Sequence, residues 1–227
     1  MGKYTFDSSM TTKERLTAEN WPPKGGNWHR EAVGGNWDVI GKVQLDFLVK
    51  KGMEKESHLL DIGCGSLRAG VRFIEYLNAG CYFGIDHDRD ILAAAVGIEI
   101  PKHGLESKRP TVVYADQFDL PFDPPSGGFD FMMAQSVFTH IDPVDIEMCL
   151  SKMAPLLGKH GLFFATFNLS RREDTIRCGV PYPVMTEYPI QWFKEAAGKA
   201  GLEATYIGGW GHPANRINNQ LMIQFNR

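Results

Sequence analysis

From Ser57 onward, short apolar runs alternate with stripes of apolar residues at helical spacing, and this alternation restricts the chain to a parallel sheet with crossover helices. The apolar runs predict strands over residues 58–62, 81–85, 111–115, 129–134 and 161–167. Between them, Leu67, Val71, Ile74 and Leu77 form the stripe of a helix stopped by Gly80, and residues 90–100 form a helix ended by Pro101. Asp142 and Pro143 read as the cap and first-turn residue of a helix that buries Ile146, Leu150, Met153 and Leu157. Residues 189–200 make the last helix, and 203–207 and 221–225 two final strands. The fold class is therefore α/β, a doubly wound, mostly parallel sheet with helices on both faces. Ligands of such sheets lie beyond the carboxyl ends of the strands, near the switch point.

At 227 residues and 43% hydrophobic content the chain builds one full core. A net charge of −3 provides no basic field for a nucleic acid backbone. There is no signal-peptide layout and no apolar run of membrane-spanning length, so the expectation is a soluble cytoplasmic protein without a membrane partner. Cys64, Cys81, Cys149 and Cys178 are too scattered for a metal site and read as reduced thiols.

Residues 1–36 are polar and rich in Gly, Pro and Trp, and the tetrapeptide GGNW occurs at 25–28 and again at 34–37. This segment reads as an amino-terminal arm or lid, preceding a domain over 37–227. The plainer alternative is that its tryptophans simply pack against that domain. Asn36 is placed to cap a helix carrying Ile40, Val43, Phe47 and Leu48.

The stretch LLDIGCGSLRAG puts Gly63 and Gly65 in the first strand-to-helix turn, where missing side chains let a ligand approach the backbone. The next strand, YFGI, ends at Asp86, placed for ribose hydroxyls. A nucleoside-bearing cofactor follows, but not a dinucleotide, because that fingerprint requires glycine where this chain has Arg68.

These motifs together resemble the class I AdoMet-dependent methyltransferases over residues 37–227. LLDIGCGS is similar to the family's first motif, with Asp61 as its acid and Gly63, Cys64 and Gly65 against the methionyl part of AdoMet. Leu67 stands where many relatives carry a third glycine. The resemblance makes Asp86 the ribose acid with His87 beside it, and sets Asp116, Gln117 and Phe118 around adenine. FDFMMAQSVFTHI resembles the fourth motif, in which Gln135 and Ser136 leave the sheet beside the reacting methyl. It further implies a seven-stranded, Rossmann-like sheet of order 3-2-1-4-5-7-6 with strand 7 antiparallel, and AdoHcy as the product.

The acceptor is narrowed by what is missing. Asp123-Pro124-Pro125 precedes the fourth strand instead of following it, so the signature of amino-group methylation on nucleic acid is absent, and Gln135-Ser136 and Phe167-Asn168 stand where a magnesium-dependent type needs acids. No metal is expected. An oxygen nucleophile needs a base, for which His140 beyond the fourth strand and His212 between the last two strands are the candidates. Trp210, Arg216 and Tyr182 are candidates for contact with a small-molecule substrate, with Arg171 and Arg172 in a long loop after strand five; His160 reads as surface. Arg68 either neutralises the methionine carboxylate or caps its helix. The expected function is O-methylation of a hydroxylated small molecule such as a sugar or natural-product intermediate; the alternatives are a small-molecule N-methyltransferase and a non-catalytic AdoMet-binding partner protein. The oligomeric state is not written in these motifs.

Overall fold

A computed structural model describes residues 5–7, 27–180, 185–211 and 220–227, with 5–7 and 178–180 as backbone only. Its strands are β1 (Thr5–Asp7), β2 (Leu59–Ile62), β3 (Tyr82–Asp86), β4 (Thr111–Tyr114), β5 (Phe129–Ala134), β6 (Leu157–Leu169), β7 (Thr175–Val180), β8 (Met185–Tyr188), β9 (Glu203–Gly208) and β10 (Gln220–Asn226). The helices are α1 (Trp28–Ala32), α2 (Trp37–Lys50), α3 (Gly70–Tyr76), α4 (beginning as Arg89–Ala94), α5 (Pro143–Met153) and α6 (Ile190–Lys199).

Seven strands run side by side in the order β4-β3-β2-β5-β6-β10-β9. The first five are parallel and β10 is antiparallel to both neighbours, which is the 3-2-1-4-5-7-6 arrangement that the sequence motifs imply. Successive residues of β6 face opposite sides. Phe163 joins a cluster with Phe138, Phe193 and Phe225 under α5 and α6, whereas Phe164 joins Phe47, Leu48, Phe73 and Trp210 under α2 and α3. Each fully buried aromatic or aliphatic side chain contributes roughly 1.5–3 kcal/mol, so both faces hold the sheet between its helices.

Several expectations require correction. The stretch expected as a long loop after strand five contains β7 and β8. Strand β8 pairs with Asn168 and Leu169 on the edge of β6 opposite β10, β7 pairs with β8, and β1 pairs with β7, extending the sheet to ten strands. Ile176 is buried and Arg177 pairs with Glu187 across the strands at 3.1 Å, cross-strand partners that no local pattern could announce. Leu67 is not helical: its φ of +73° closes the turn after the glycines, and α3 starts at Gly70. Pro101 does not end its helix, because α4 widens into a π-turn over Ala95–Glu99 and then continues over Ile100–Lys102. The wider turn relieves the clash that a proline ring makes with the carbonyl a turn earlier. Leu157 is the first residue of β6 rather than the last of a helical stripe. Asn36 adopts a left-handed conformation (φ +46°) and its side chain makes no capping bond to α2.

Candidate cofactor and active site

The glycine turn is stitched to the neighbouring strand. The N–H groups of Gly63 and Cys64 both donate to the Ile85 carbonyl, at 2.8 and 3.0 Å, and the Gly65 N–H donates to Asp86 Oδ2 at 2.9 Å. Gly63 and Gly65 have φ of +69° and +55°, and a Cβ on either would stand 2.4 Å from Val137 and 2.6 Å from Val33 respectively. Only glycine satisfies both conditions. The other Asp86 oxygen accepts the Asp88 N–H at 2.9 Å and faces His87 Nδ1 at 3.4 Å, a contact that raises the His87 pKa. Cys64 offers this turn its backbone only. Its thiol is turned inward against Gly84, and burial pushes the thiol pKa well above its ordinary value.

Behind the turn lie two buried charges. Burial lifts the Asp61 carboxyl to about 7, although a hydrogen bond from the Tyr82 hydroxyl at 2.8 Å pulls the other way. The Arg68 guanidinium is lowered by burial to about 10 and so remains charged at neutral pH. It donates to Gln135 Oε1 at 2.7 Å and to the Gly35 carbonyl at 3.2 Å, while its Nε has no partner.

Gln135, at the end of β5, sits in a network crossing three elements. It donates to Gln220 of β10 at 3.1 Å, and Gln220 donates to the Ser136 hydroxyl at 3.0 Å. Gln44 of α2 approaches Gln135 at 3.5 Å. Ser136, at φ +61°, is half-buried and its N–H is held by Thr166 Oγ1 at 2.7 Å. Trp210 lies behind this network rather than on its open side: it is 6% exposed, meets Phe47 edge-on, and donates to the Gln220 carbonyl at 3.3 Å.

At the end of β4, Asp116 and Gln117 are exposed and Phe118 is half-buried. Arg89, which motif reading passed over, stacks on the Tyr114 ring at 3.6 Å beside them. His140 is half-buried in the turn after β5, and that turn is pinned by Thr186 N–H to the Thr139 carbonyl (2.8 Å) and by the Tyr188 hydroxyl to the Ile141 carbonyl (2.5 Å). His212, Arg216 and Tyr182 lie outside the described residues. Arg171 and Arg172 are exposed, as is His160. Among the described residues, no three His, Cys, Asp or Glu side chains gather as a metal would require, and no helix is long and apolar enough to cross a membrane.

The segment before α2 is built onto the glycine turn. Ser66 Oγ donates to the His29 carbonyl at 2.7 Å, Val33 packs on Gly65, and Gly35 accepts from Arg68. Glu99 holds α1 from below, accepting from His29 and Arg30. Motif reading missed Glu99, Gln44 and Gln220. Gln44 carried a usable signal, a polar residue on the apolar face of α2 beside Ile40, Phe47 and Leu48.

A glycine turn after the first central strand, an acid ending the next and polar residues leaving the fourth stand where the resemblance to AdoMet-dependent methyltransferases expects them. Residues 59–161, from β2 into β6, match the family model of a methyltransferase domain. Over those residues the chain is similar to methyltransferase domains, and its fold is shared with AdoMet-dependent methyltransferases. Solved structures share the fold at low identity. A TehB-like SAM-dependent methyltransferase from Corynebacterium glutamicum is 20% identical, covers 87% of this chain and 92% of its own, and has a TM-score of 0.60. The magnesium protoporphyrin IX methyltransferase of Synechocystis PCC 6803 with bound SAM is 14% identical over 98% of this chain and 100% of its own, with a TM-score of 0.63. The [4+2]-cyclase SpnF is 15% identical over 96% of this chain and 97% of its own, with a TM-score of 0.65.

Proposed function

We propose that the protein methylates a hydroxyl oxygen of a small-molecule acceptor, such as a sugar or natural-product intermediate, and releases AdoHcy. The carrying observation is the buried network of neutral polar groups, Gln135, Thr166 and Gln220, that surfaces at half-buried Ser136 beside the pinned turn that bears His140. Hydroxyl and amide groups of this kind recognise a hydroxylated acceptor by exchanging hydrogen bonds with it. Trp210 acts on that network through Gln220, and Tyr182 and Arg216 are assigned to contact with the acceptor.

The residues present fit the cofactor. The turn of Gly63 and Gly65 is assigned to its methionyl part, Arg68 Nε, a buried donor without a partner, to the carboxylate, and buried Asp61 to the ammonium group. Asp86 takes the ribose hydroxyls, with His87 at its flank, and Asp116, Gln117 and Phe118 border adenine. When bound, AdoMet supplies a methyl group activated by its sulfonium centre. His140 takes the acceptor's hydroxyl proton as the oxygen forms its new bond to carbon, and the Ser136 turn holds the acceptor in line. Incubation with isotope-labelled AdoMet and pooled hydroxylated metabolites, followed by mass spectrometry and NMR, should reveal an O-methyl product. A label found on nitrogen, or no turnover by protein that binds AdoMet, would overturn this reading.

A further inference from the structure

Glu99 is buried on a helix whose neighbouring apolar residues face solvent: Glu99 is 0% exposed, whereas Val96 and Ile98 are 48% and 45% exposed. The π-turn over Ala95–Glu99 is where this inversion occurs. A buried carboxylate in an ion pair is seldom a net source of stability compared with apolar packing, so its presence calls for a role beyond holding the core together.

Its partners all reach the segment in front of the domain or the same helix. Glu99 Oε1 accepts from His29 Nε2 and Arg30 Nε, each at 2.7 Å, and Oε2 accepts from Arg30 Nη2 at 2.6 Å, with His103 Nε2 at 3.4 Å. The two-pronged Arg30 contact fixes orientation as well as distance. The two tryptophans of the repeated GGNW complete the arrangement. Trp28 and Trp37 meet the His29 ring edge-on at 5.9 and 6.4 Å, and the Arg30 guanidinium lies 4.3 Å from the Trp37 ring centre.

Helix α1 has five residues, far below the length at which a helix persists by itself, so its place depends on these contacts. What α1 and the residues just after it touch is the cofactor turn: the Ser66 hydroxyl reaches the His29 carbonyl of α1, Val33 packs on Gly65, and Arg68 reaches the Gly35 carbonyl. We infer that Glu99 is a positioning residue for the cofactor: through His29 and Arg30 it latches α1 onto the glycine turn, and α1 so latched is the wall that retains AdoMet and AdoHcy. This inference rests on the methyltransferase reading of the domain. It assigns the GGNW tryptophans to the latch and makes cofactor release depend on a carboxylate outside the glycine turn.

The test compares the full chain with its Glu99→Gln, Glu99→Asp and Arg30→Met variants, using AdoHcy as the probe. Glu99→Gln should weaken AdoHcy binding by about tenfold or more, the scale of a lost hydrogen bond to a charged group, mainly through faster dissociation. Amide exchange should rise over residues 28–36 and stay slow in β2 and β5. Glu99→Asp, which keeps the charge, should recover part of the affinity. Arg30→Met guards against a variant that does not fold, since Arg30 is partly exposed, and should show the same pattern more weakly. Exchange rising over 28–36 with AdoHcy affinity and dissociation unchanged would overturn the inference, as would affinity lost together with protection in β2 and β5. Wild-type protein that fails to bind AdoHcy would instead sink the methyltransferase reading itself.

Discussion

The Asp86 carboxylate accepts the Gly65 N–H at 2.9 Å, so the end of β3 and the glycine turn after β2 are held as one surface by a side chain. With its second oxygen on the Asp88 N–H, the carboxylate is oriented before any ligand arrives. Replacing Asp86 with Ala should cost AdoMet and AdoHcy about 1.5–3 kcal/mol of binding free energy, the range for hydrogen bonds to a charged group. Titration calorimetry reads this directly. NAD should bind neither protein.

The proposed role of Asp61 should make cofactor affinity depend on pH. Burial raises its pKa from 3.8 to about 7, so across neutral pH it passes from neutral to anionic. On the proposed assignment an ionised Asp61 would attract the cofactor's ammonium group, and AdoHcy affinity should therefore rise between pH 6 and 8. Stability without ligand runs the other way. The folded state holds this proton more tightly than the unfolded chain, so the contribution is complete below about pH 4 and is lost as pH rises through about 7. Thermal unfolding from pH 5 to 8, with and without AdoHcy, should show the ligand-induced shift growing with pH. Tyr82→Phe removes a bond that lowers the Asp61 pKa and should move the affinity rise to higher pH.

Two glycine substitutions should act in opposite directions. Gly65→Ala places a Cβ 2.6 Å from Val33 at a positive φ, and should lower stability by roughly 1–3 kcal/mol while weakening AdoHcy. Gly198→Ala, inside α6 with open space around it, should raise stability by about 0.5–1 kcal/mol. Chemical denaturation of the two variants provides both values.

For the proposed base, His140→Ala should lower turnover by about 10²–10⁴ and leave AdoMet affinity near wild type. His212→Ala should raise the acceptor's KM with a smaller effect on kcat if it only positions substrate. The reverse pattern, in folded proteins that bind AdoMet, would transfer the role to His212.

What could be read from residues alone follows from the range of the forces involved. Periodicity is local, so the central strands and most helices were legible, and the turn of Gly63 and Gly65 announced itself through its missing side chains. The order of the sheet came from the resemblance of several motifs, not from any spacing. Strands β7 and β8 were hidden because Ile176, Arg177 and Glu187 find their partners across the sheet. Glu99, between Ile98 and Ile100, carried no signal of its burial, which depends on His29 and Arg30, some seventy positions earlier. Trp210 was expected against substrate on the strength of its loop, but the indole is spent on Phe47 and Gln220.

The pairing of β1 with β7 sets Thr5 opposite Thr175 and Asp7 opposite Arg177. A contact between positions 170 apart must close about three quarters of the chain into one loop, so it forms late and adds to the contact order that slows folding. During synthesis the first strand waits until three quarters of the protein has emerged. Until it arrives, β7 exposes an unpaired edge, the kind of surface on which another copy can pair. The amino-terminal strand thus closes the sheet last, and a truncated chain lacking it should be the form most prone to aggregate.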